Sequence, residues 1–321
     1  MALGGVSPPE SRPAARRALL IVNPGARRAA AKSEDAKRAL IDEGVAVTVM
    51  FTKAPGHATE LARQHSGDAD LVFTLGGDGT AMEVITALAE HGPPVAVLPG
   101  GTGNILARSL GTPLRVTNAA RALLHGDEAR LDLGRLGDGR HFVIGVGVGL
   151  DEAMIAGASP LMKKRVGFWA YVWSATRAGF HLRPFDVRLT VDGRVYERRA
   201  SSVMIANLGS VLGGLISFGD NILYDDGVLH ACIYSPDTVW DAMRIFTRML
   251  RGTVHLDKHT FYVSGTQFRL ETNPALRAQA DGELLDMTPL EITTRPHTAR
   301  LMIPKRGDRR SSSRSGGSSG R

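Results

Sequence analysis

The chain reads as an α/β domain with a parallel sheet, followed by a mainly antiparallel β-sandwich domain. Three observations lead there. Short, nearly all-apolar segments alternate four times with helix-forming segments between residues 18 and 110, the pattern of a parallel sheet covered on both faces. Glycine-rich loops follow the third and fourth of those segments. After about residue 131, strand-like segments follow one another with Gly and Asp turns between them, as in antiparallel sheets.

Residues 1–17 form a loose leader, rich in Pro, Gly and Ser near its start. Arg16-Arg17 precede the apolar run 18–22, but five residues are too few for the hydrophobic stretch of a secretory signal, so the run reads as a buried first strand. The turn Asn23-Pro24-Gly25 closes it. Residues 29–43 favour a helix by their Ala, Lys and Leu content, and the β-branched run 45–51 favours a strand. Then come a helix at 57–64, a buried strand at 71–75, a helix at 81–90, a strand at 95–98 and a helical segment at 105–110. Residues 18–131 are therefore the α/β domain and 132–304 the β-rich domain.

In the second domain the strand-like segments are 142–148, 187–191, 202–206 and 228–233. Residues 163–178 read as a helical insertion. Residues 238–251 read as a helix in which Val239, Met243, Phe246, Met249 and Leu250 fall at helical spacing, as core or lipid-facing packing. The last strand-like segment, 300–304, is a candidate to return to the first domain. Residues 305–321, mostly Arg, Ser and Gly, form a flexible basic tail.

Composition excludes several classes. With 321 residues, 43% apolar, 22% charged and 37 glycines, the chain is neither mostly disordered nor collagen-like. A single cysteine, Cys232, excludes an internal disulfide framework and a zinc cluster, and its apolar surroundings make it a core residue. The longest apolar run, 142–150, stops at Asp151, well short of the ~20 residues of a membrane helix. The net charge of +7 lies wholly in the ends: 305–321 hold six Lys and Arg against Asp308, and 1–17 hold three Arg against Glu10. It permits the ends to touch an anionic membrane and says nothing about an active site.

The chemistry gathers at the carboxyl ends of the expected strands, where such sheets bind ligands. Gly76-Gly77-Asp78-Gly79-Thr80 stands between a strand and a helix. Its glycines let backbone N–H groups approach a phosphate, and the helix N-terminus favours negative charge. A bare carboxylate there would repel phosphates, so Asp78 points to Mg²⁺; an ordinary Gly-Asp-Gly turn is the other reading. Leu98-Pro99-Gly100-Gly101-Thr102-Gly103-Asn104 adds a second glycine loop at the same edge. Neither loop has the Lys of a Walker loop or the spacing of a dinucleotide fold, which argues against a Walker-type ATPase and a dehydrogenase.

Taken with Asn23-Pro24, Glu83, Asp225-Asp226-Gly227 and Asp281-Gly282-Glu283, these motifs resemble the diacylglycerol kinase catalytic-domain family, which includes bacterial lipid kinases and the sphingosine and ceramide kinases. The resemblance runs in order from about residue 18 to 304. It implies ATP and Mg²⁺ as cofactors, with the nucleotide in the cleft between the domains. By similarity the nucleotide is held by Asn23, Thr52, Gly76, Gly77, Asp78, Gly79, Thr80, Glu83, Thr102, Gly103, Asn104 and Glu283. Asp281 resembles the base that accepts the lipid hydroxyl proton, with Asp78 as a second catalytic carboxylate; a surface β-turn is the alternative for Asp281. Asp226, with main-chain oxygens of Leu223 and Val228, resembles a structural Mg²⁺ site; a hairpin turn is the alternative. Asp151 resembles a residue that hydrogen-bonds the lipid head group, or else caps a buried glycine strand.

The sequence departs from the family's usual motifs at Gly25-Ala26, Met82, Gly101 and Ile105. The aromatic cluster 168–173 reads as a lipid-entrance rim or a helix core, and Lys163-Lys164-Arg165 as a contact for anionic head groups or a solvated face. The expected partner is a lipid substrate at a membrane surface, without nucleic acid and with room for a homodimer. The expected location is cytoplasmic, peripheral to the inner face of the membrane. Two rival readings are an NAD kinase-like enzyme acting on a soluble hydroxyl and a non-enzymatic binding protein acting through the basic tails.

Overall fold

A computed structural model describes residues 17–26, 29–149, 184–211, 216–219 and 222–305. Outside them lie most of the leader and tail, the helical insertion with its aromatic and basic runs, and Asp151.

Four strands, β1 (Arg17–Val22), β2 (Ala46–Phe51), β3 (Leu71–Gly76) and β4 (Val95–Pro99), lie parallel in the order β2-β1-β3-β4. Helices α1 (Ala29–Ile41) and α5 (Val116–Leu124) cover one face, while α2 (His57–His65), α3 (Asp78–Ala87) and α4 (Ile105–Ser109) cover the other. The two-residue period of β1 divides its apolar side chains between them. Leu19 and Ile21 join one core and Ala18, Leu20 and Val22 the other, which is why the strand is apolar throughout. Because the chain leaves β1 toward β2 on one side and returns through β3 on the other, the sheet's switch point falls between the carboxyl ends of β1 and β3.

The strand expected at 142–148 is broken: residues 141–142 and 145–149 form separate strands, and the backbone between them turns its N–H groups to a side chain elsewhere in the fold. Two helices of the first domain also differ from the sequence expectation. Helix α3 begins at Asp78 rather than residue 81: Gly77 is its extended N-cap, at φ −86° and ψ −179°, and Asp78-Gly79-Thr80 is its first turn. Helix α5 was not expected, although Val116, Ala119, Ala120, Leu123 and Leu124 form a buried helical stripe.

The parallel sheet does not stop at the fourth strand. The 14-residue β18 (Leu290–Ile303) lies parallel to β4 at Leu301 and antiparallel to β5 (Asp127–Leu136), with a register shift between Arg295 and Ala299. The short β6 (His141–Phe142) folds back on β5. The other half of β18 pairs with β15 (Gln267–Asn273), which continues into β8 (Phe185–Val191) and β9 (Arg194–Ala200). One ten-stranded sheet therefore runs through both halves of the chain, and residues 131 and 132 both lie within β5.

A second sheet of six antiparallel strands has the order β14 (Thr260–Gly265), β13 (Leu229–Tyr234), β10 (Ser202–Ala206), β7 (Gly145–Gly149), β16 (Arg277–Ala280), β17 (Glu283–Met287). Two-residue strands β11 (Ser210–Val211) and β12 (Ile216–Ser217) pair separately. The inner face of the six-stranded sheet packs Val146, Val148, Val203, Ile205, Ala231 and Ile233 against β8 and β15, making the sandwich. Its outer face carries Cys232 and Tyr234 beneath a helix, Val239–Leu250. Cys232 is fully buried, and burial pushes its thiol up to about 12, an inert core residue. Among the described residues no helix is long and apolar enough to cross a membrane.

Candidate active site

The loops after β1, β2, β3 and β4 meet at the switch point. Asn23 donates its backbone N–H to Leu75 O at 3.0 Å and its Nδ2 to Thr80 Oγ1 at 3.0 Å. Thr52, buried after β2, donates its N–H to Val22 O at 2.8 Å. Gly100 N–H donates to Gly76 O at 3.1 Å, and Asp78 Oδ1 accepts from Leu106 N–H at 3.0 Å. Asn23, Thr52, the GGDGT turn and the second glycine loop are thus brought to one edge.

The glycines there do two different jobs. A Cβ on Gly100 would lie 2.7 Å from Gly76 N, and one on Gly101 would lie 2.7 Å from Gly77 Cα. At these positions the loops touch backbone to backbone, and only glycine fits. A Cβ on Gly77 or Gly79 would meet nothing within 4 Å. Those two present bare backbone outward at the N-terminus of α3, the surface an anion approaches.

Thr102 is exposed on the second loop. Asn104 turns back instead: its Oδ1 accepts from Gly101 N–H at 2.8 Å and its Nδ2 donates to Gly101 O at 3.0 Å. It shapes the loop, and its left-handed φ of +48° suits an Asn there. Motif reading missed Lys32, whose Nζ reaches Pro99 O at 3.2 Å from α1. A Lys in an Ala-rich helix carries no motif signal.

Glu83 stands apart from the open glycines. Its carboxylate accepts from Gly56 N–H and Ala58 N–H, each at 3.0 Å. Helix α2 has Gly56 as N-cap and so no capping side chain of its own; Glu83 supplies the cap from the neighbouring helix. Glu83→Ala is expected to cost about 1–2 kcal/mol of stability, read as a lower thermal midpoint with nucleotide affinity little changed.

Asp281 occupies the two-residue turn between β16 and β17. Asp281 and Gly282 both have positive φ, +52° and +89°, the form that matches strand twist in a tight hairpin. The Asp side chain does not point to solvent. Oδ2 accepts from Val143 N–H at 2.7 Å, and Oδ1 accepts from Ile144 N–H at 2.8 Å and Gly145 N–H at 3.1 Å. Burial pushes its carboxyl up to about 6 despite those three donors, and nearby Glu283 adds to the rise. Val143 and Ile144 pack in one core with Met82 and Leu106 of the glycine-loop helices. Glu283 itself is exposed at the start of β17.

The turn 223–228 hangs on Asp132, a fully buried residue that motif reading did not single out. Asp132 accepts from Gly227 N–H and from His297 N–H, each at 2.6 Å, and donates its own N–H to Tyr224 O at 2.7 Å. Within the turn, Asp226 Oδ1 accepts from Val228 N–H at 3.2 Å and Oδ2 meets His230 Nε2 at 3.0 Å. The turn thus keeps its shape through protein groups, and a cation on Asp226 would compete with His230. Leu223 is exposed.

Residues 17–136 match the family model described as the diacylglycerol kinase catalytic domain. Residues 144–303 match the one described as the YegS C-terminal NAD kinase beta sandwich-like domain. The chain is 26% identical over 296 residues to a diacylglycerol kinase of Bacillus subtilis (strain 168), covering 90% of this chain and 97% of that one. It is 23% identical over 302 residues to an uncharacterized protein of Synechocystis sp., covering 89% and 70%. The crystal structure of a diacylglycerol kinase from Bacillus anthracis str. Sterne superposes with a TM-score of 0.77 at 26% identity, covering 91% of this chain and 98% of that one.

Proposed function

The chain belongs to the diacylglycerol kinase catalytic-domain family and is a lipid kinase, and from that premise we propose that it transfers the γ-phosphoryl group of ATP, with Mg²⁺, to a hydroxyl of a diacylglycerol-like or sphingoid lipid. The observation that carries the reading is the division among the glycines. Gly76, Gly100 and Gly101 lock two loops together, and Gly77 and Gly79 are left bare at a helix N-terminus beside Asp78.

That bare backbone fits a polyphosphate, because Gly77 and Gly79 put no side chain of their own between their amides and a ligand. Gly77, Gly79, Thr80 and Thr102 would hold ATP, which supplies the phosphoryl group when bound. Asp78 would hold Mg²⁺, since one of its oxygens is tied to Leu106 and the other faces Gly103. Phosphoryl transfer proceeds mainly by positioning and charge neutralisation, which is work a rigid double loop does well.

Asp281 orients the acceptor hydroxyl and takes its proton. Three of the roughly four acceptor positions of its carboxylate are filled by backbone N–H groups, leaving one for a hydroxyl. A carboxyl held at about 6 is ionised at neutral pH and still more basic than an ordinary Asp, which suits a general base. Asp226 with the carbonyls of Leu223 and Val228 is the candidate for a second, structural Mg²⁺ in this reading, taking the place of His230 at one carboxylate oxygen.

The match of residues 144–303 to an NAD kinase-like sandwich favours a second reading, phosphorylation of a soluble hydroxyl such as that of NAD. One assay separates them. The protein is incubated with labelled ATP, Mg²⁺ and, in separate arms, diacylglycerol, sphingosine or ceramide in mixed micelles, or NAD in solution. Label is expected in a lipid and should vanish with EDTA; label in NAD alone overturns the lipid reading.

A further inference from the structure

The helix Val239–Leu250 turns two unlike faces to its surroundings. Inward, Ile245 and Met249 pack with Cys232, Tyr234 and Val254 on the outer face of the six-stranded sheet. Outward, Trp240 is 77% exposed, Met243 51% and Leu250 38%. At spacings of three and seven these residues share one stripe of the helix. Leu256, in the turn that follows, is 66% exposed. Scattered exposed apolar residues are ordinary, but a stripe headed by a Trp marks a surface that something covers.

Charge is sorted around the stripe. Asp241 and Asp257 are buried and neutralised by Arg244, at 2.7 and 2.8 Å, with Arg248 at 3.5 Å from Asp257. Arg251 and Lys258, next to Leu250 and Leu256 in the chain, are exposed and form no ion pair among the described residues. The one exposed carboxylate in residues 237–259 is Asp237, at the opposite end of the helix. The end bearing Leu250 and Leu256 is therefore positive and unneutralised. Anionic lipid complements that charge.

We propose that Trp240, Met243, Leu250 and Leu256, with Arg251 and Lys258, form the face by which this enzyme sits on an anionic lipid bilayer. The face rests on the lipid-kinase reading, because a lipid substrate brings the enzyme to a bilayer. Trp is favoured at the headgroup level, and an amphipathic helix buries its apolar stripe at the acyl boundary. The helix is formed before contact. Thr238 Oγ1 accepts from Asp241 N–H at 3.1 Å and Asp241 Oδ2 accepts from Thr238 N–H at 3.0 Å, a closed capping box. Docking then carries no cost of folding the segment.

The test uses the full-length protein and vesicles of phosphatidylcholine with or without phosphatidylglycerol. Co-sedimentation should favour the phosphatidylglycerol vesicles. Trp240→Glu, Met243→Glu and the pair Arg251→Glu with Lys258→Glu should each lower that partitioning about tenfold or more. Phosphorylation of diacylglycerol embedded in the vesicles should fall with them. Phosphorylation of a short-chain, monomeric diacylglycerol should be unchanged, which also shows that the variants fold. Variants that sediment with vesicles like the parent overturn the docking face and leave the kinase reading intact. So does a dimer, seen without lipid by sedimentation velocity, that Trp240→Glu dissociates. If the parent phosphorylates no lipid in any form, the kinase reading fails, and sedimentation still decides the face.

Discussion

Asp281→Asn should lower lipid phosphorylation by about 10²–10⁴-fold, the contribution of a positioned general base, while ATP affinity stays within a few fold. Asn tolerates the left-handed turn conformation as well as Asp does, and its Oδ1 can still accept from the Ile144 and Gly145 N–H groups, while its Nδ2 cannot accept from Val143 N–H. That lost bond costs about 1–3 kcal/mol of stability, and unchanged ATP affinity separates it from the loss in chemistry. pH gives a second handle. With its carboxyl near 6, the parent's lipid kcat/KM should rise as pH climbs through about 6 and then level off, and the residual rate of the Asn variant should lack that limb. Stability moves oppositely. A carboxyl raised above the ordinary value of about 3.9 binds its proton more tightly in the folded state, so its contribution is full below about pH 4 and declines as pH rises to about 6. The thermal midpoint of the parent relative to the variant should therefore fall across that window. A variant keeping more than a tenth of the parent rate would remove Asp281 from the base role.

Gly79→Ala and Gly100→Ala should part in sign. Gly100 has no room: the added Cβ lies 2.7 Å from Gly76 N and 2.9 Å from Gly76 O, and backbone cannot swing aside. Overpacking of this kind costs about 1–3 kcal/mol, or about 2–4 °C of thermal midpoint for each kcal/mol in a protein of this size class. Gly79 lies in the first turn of α3 with open space around it. Alanine there should stabilise the fold by about 0.5–1 kcal/mol and still weaken ATP binding tenfold or more, because its methyl group stands where phosphates approach the amides. Differential scanning calorimetry and nucleotide titration on the same two proteins read both halves. A Gly79→Ala protein with parental ATP affinity would mean that the phosphates lie elsewhere.

Much of this was legible in the chain because local and tertiary preferences agree. Apolar β1, β3 and β4 are buried on both faces, so their composition announces a covered sheet, and the loops that follow them sit where strand order reverses. The hydrophobic stripe of α5 was equally legible and was missed because no motif drew attention to it. What could not be read was which partner each polar group serves. Glu83 lies one turn past the GGDGT motif and looks like a ligand residue, yet its carboxylate caps α2, whose own cap is a glycine. Asp281 looks like a turn residue or a base; its backbone is the first, and its carboxylate faces amides 137 or more positions away in the chain for two of three bonds. Asp132 has no neighbouring motif at all, and only the fold brings Gly227 and His297 to it. The 77% exposure of Trp240 was also out of reach, since a helical period alone does not say which stripe faces the core.

The long strand β18 bears on how the molecule is made. Its residues 290–303 are nearly the last described in the chain, yet they lie in the middle of the ten-stranded sheet, against β4 on one side and β5 on the other. During synthesis on a ribosome the first half emerges first, with the flank of β4 bare. It cannot complete its sheet until residue 303 has left the exit tunnel. An unpaired apolar flank invites pairing with other chains, so the growing chain depends on this late strand, and a chain cut before residue 290 lacks the middle of its sheet.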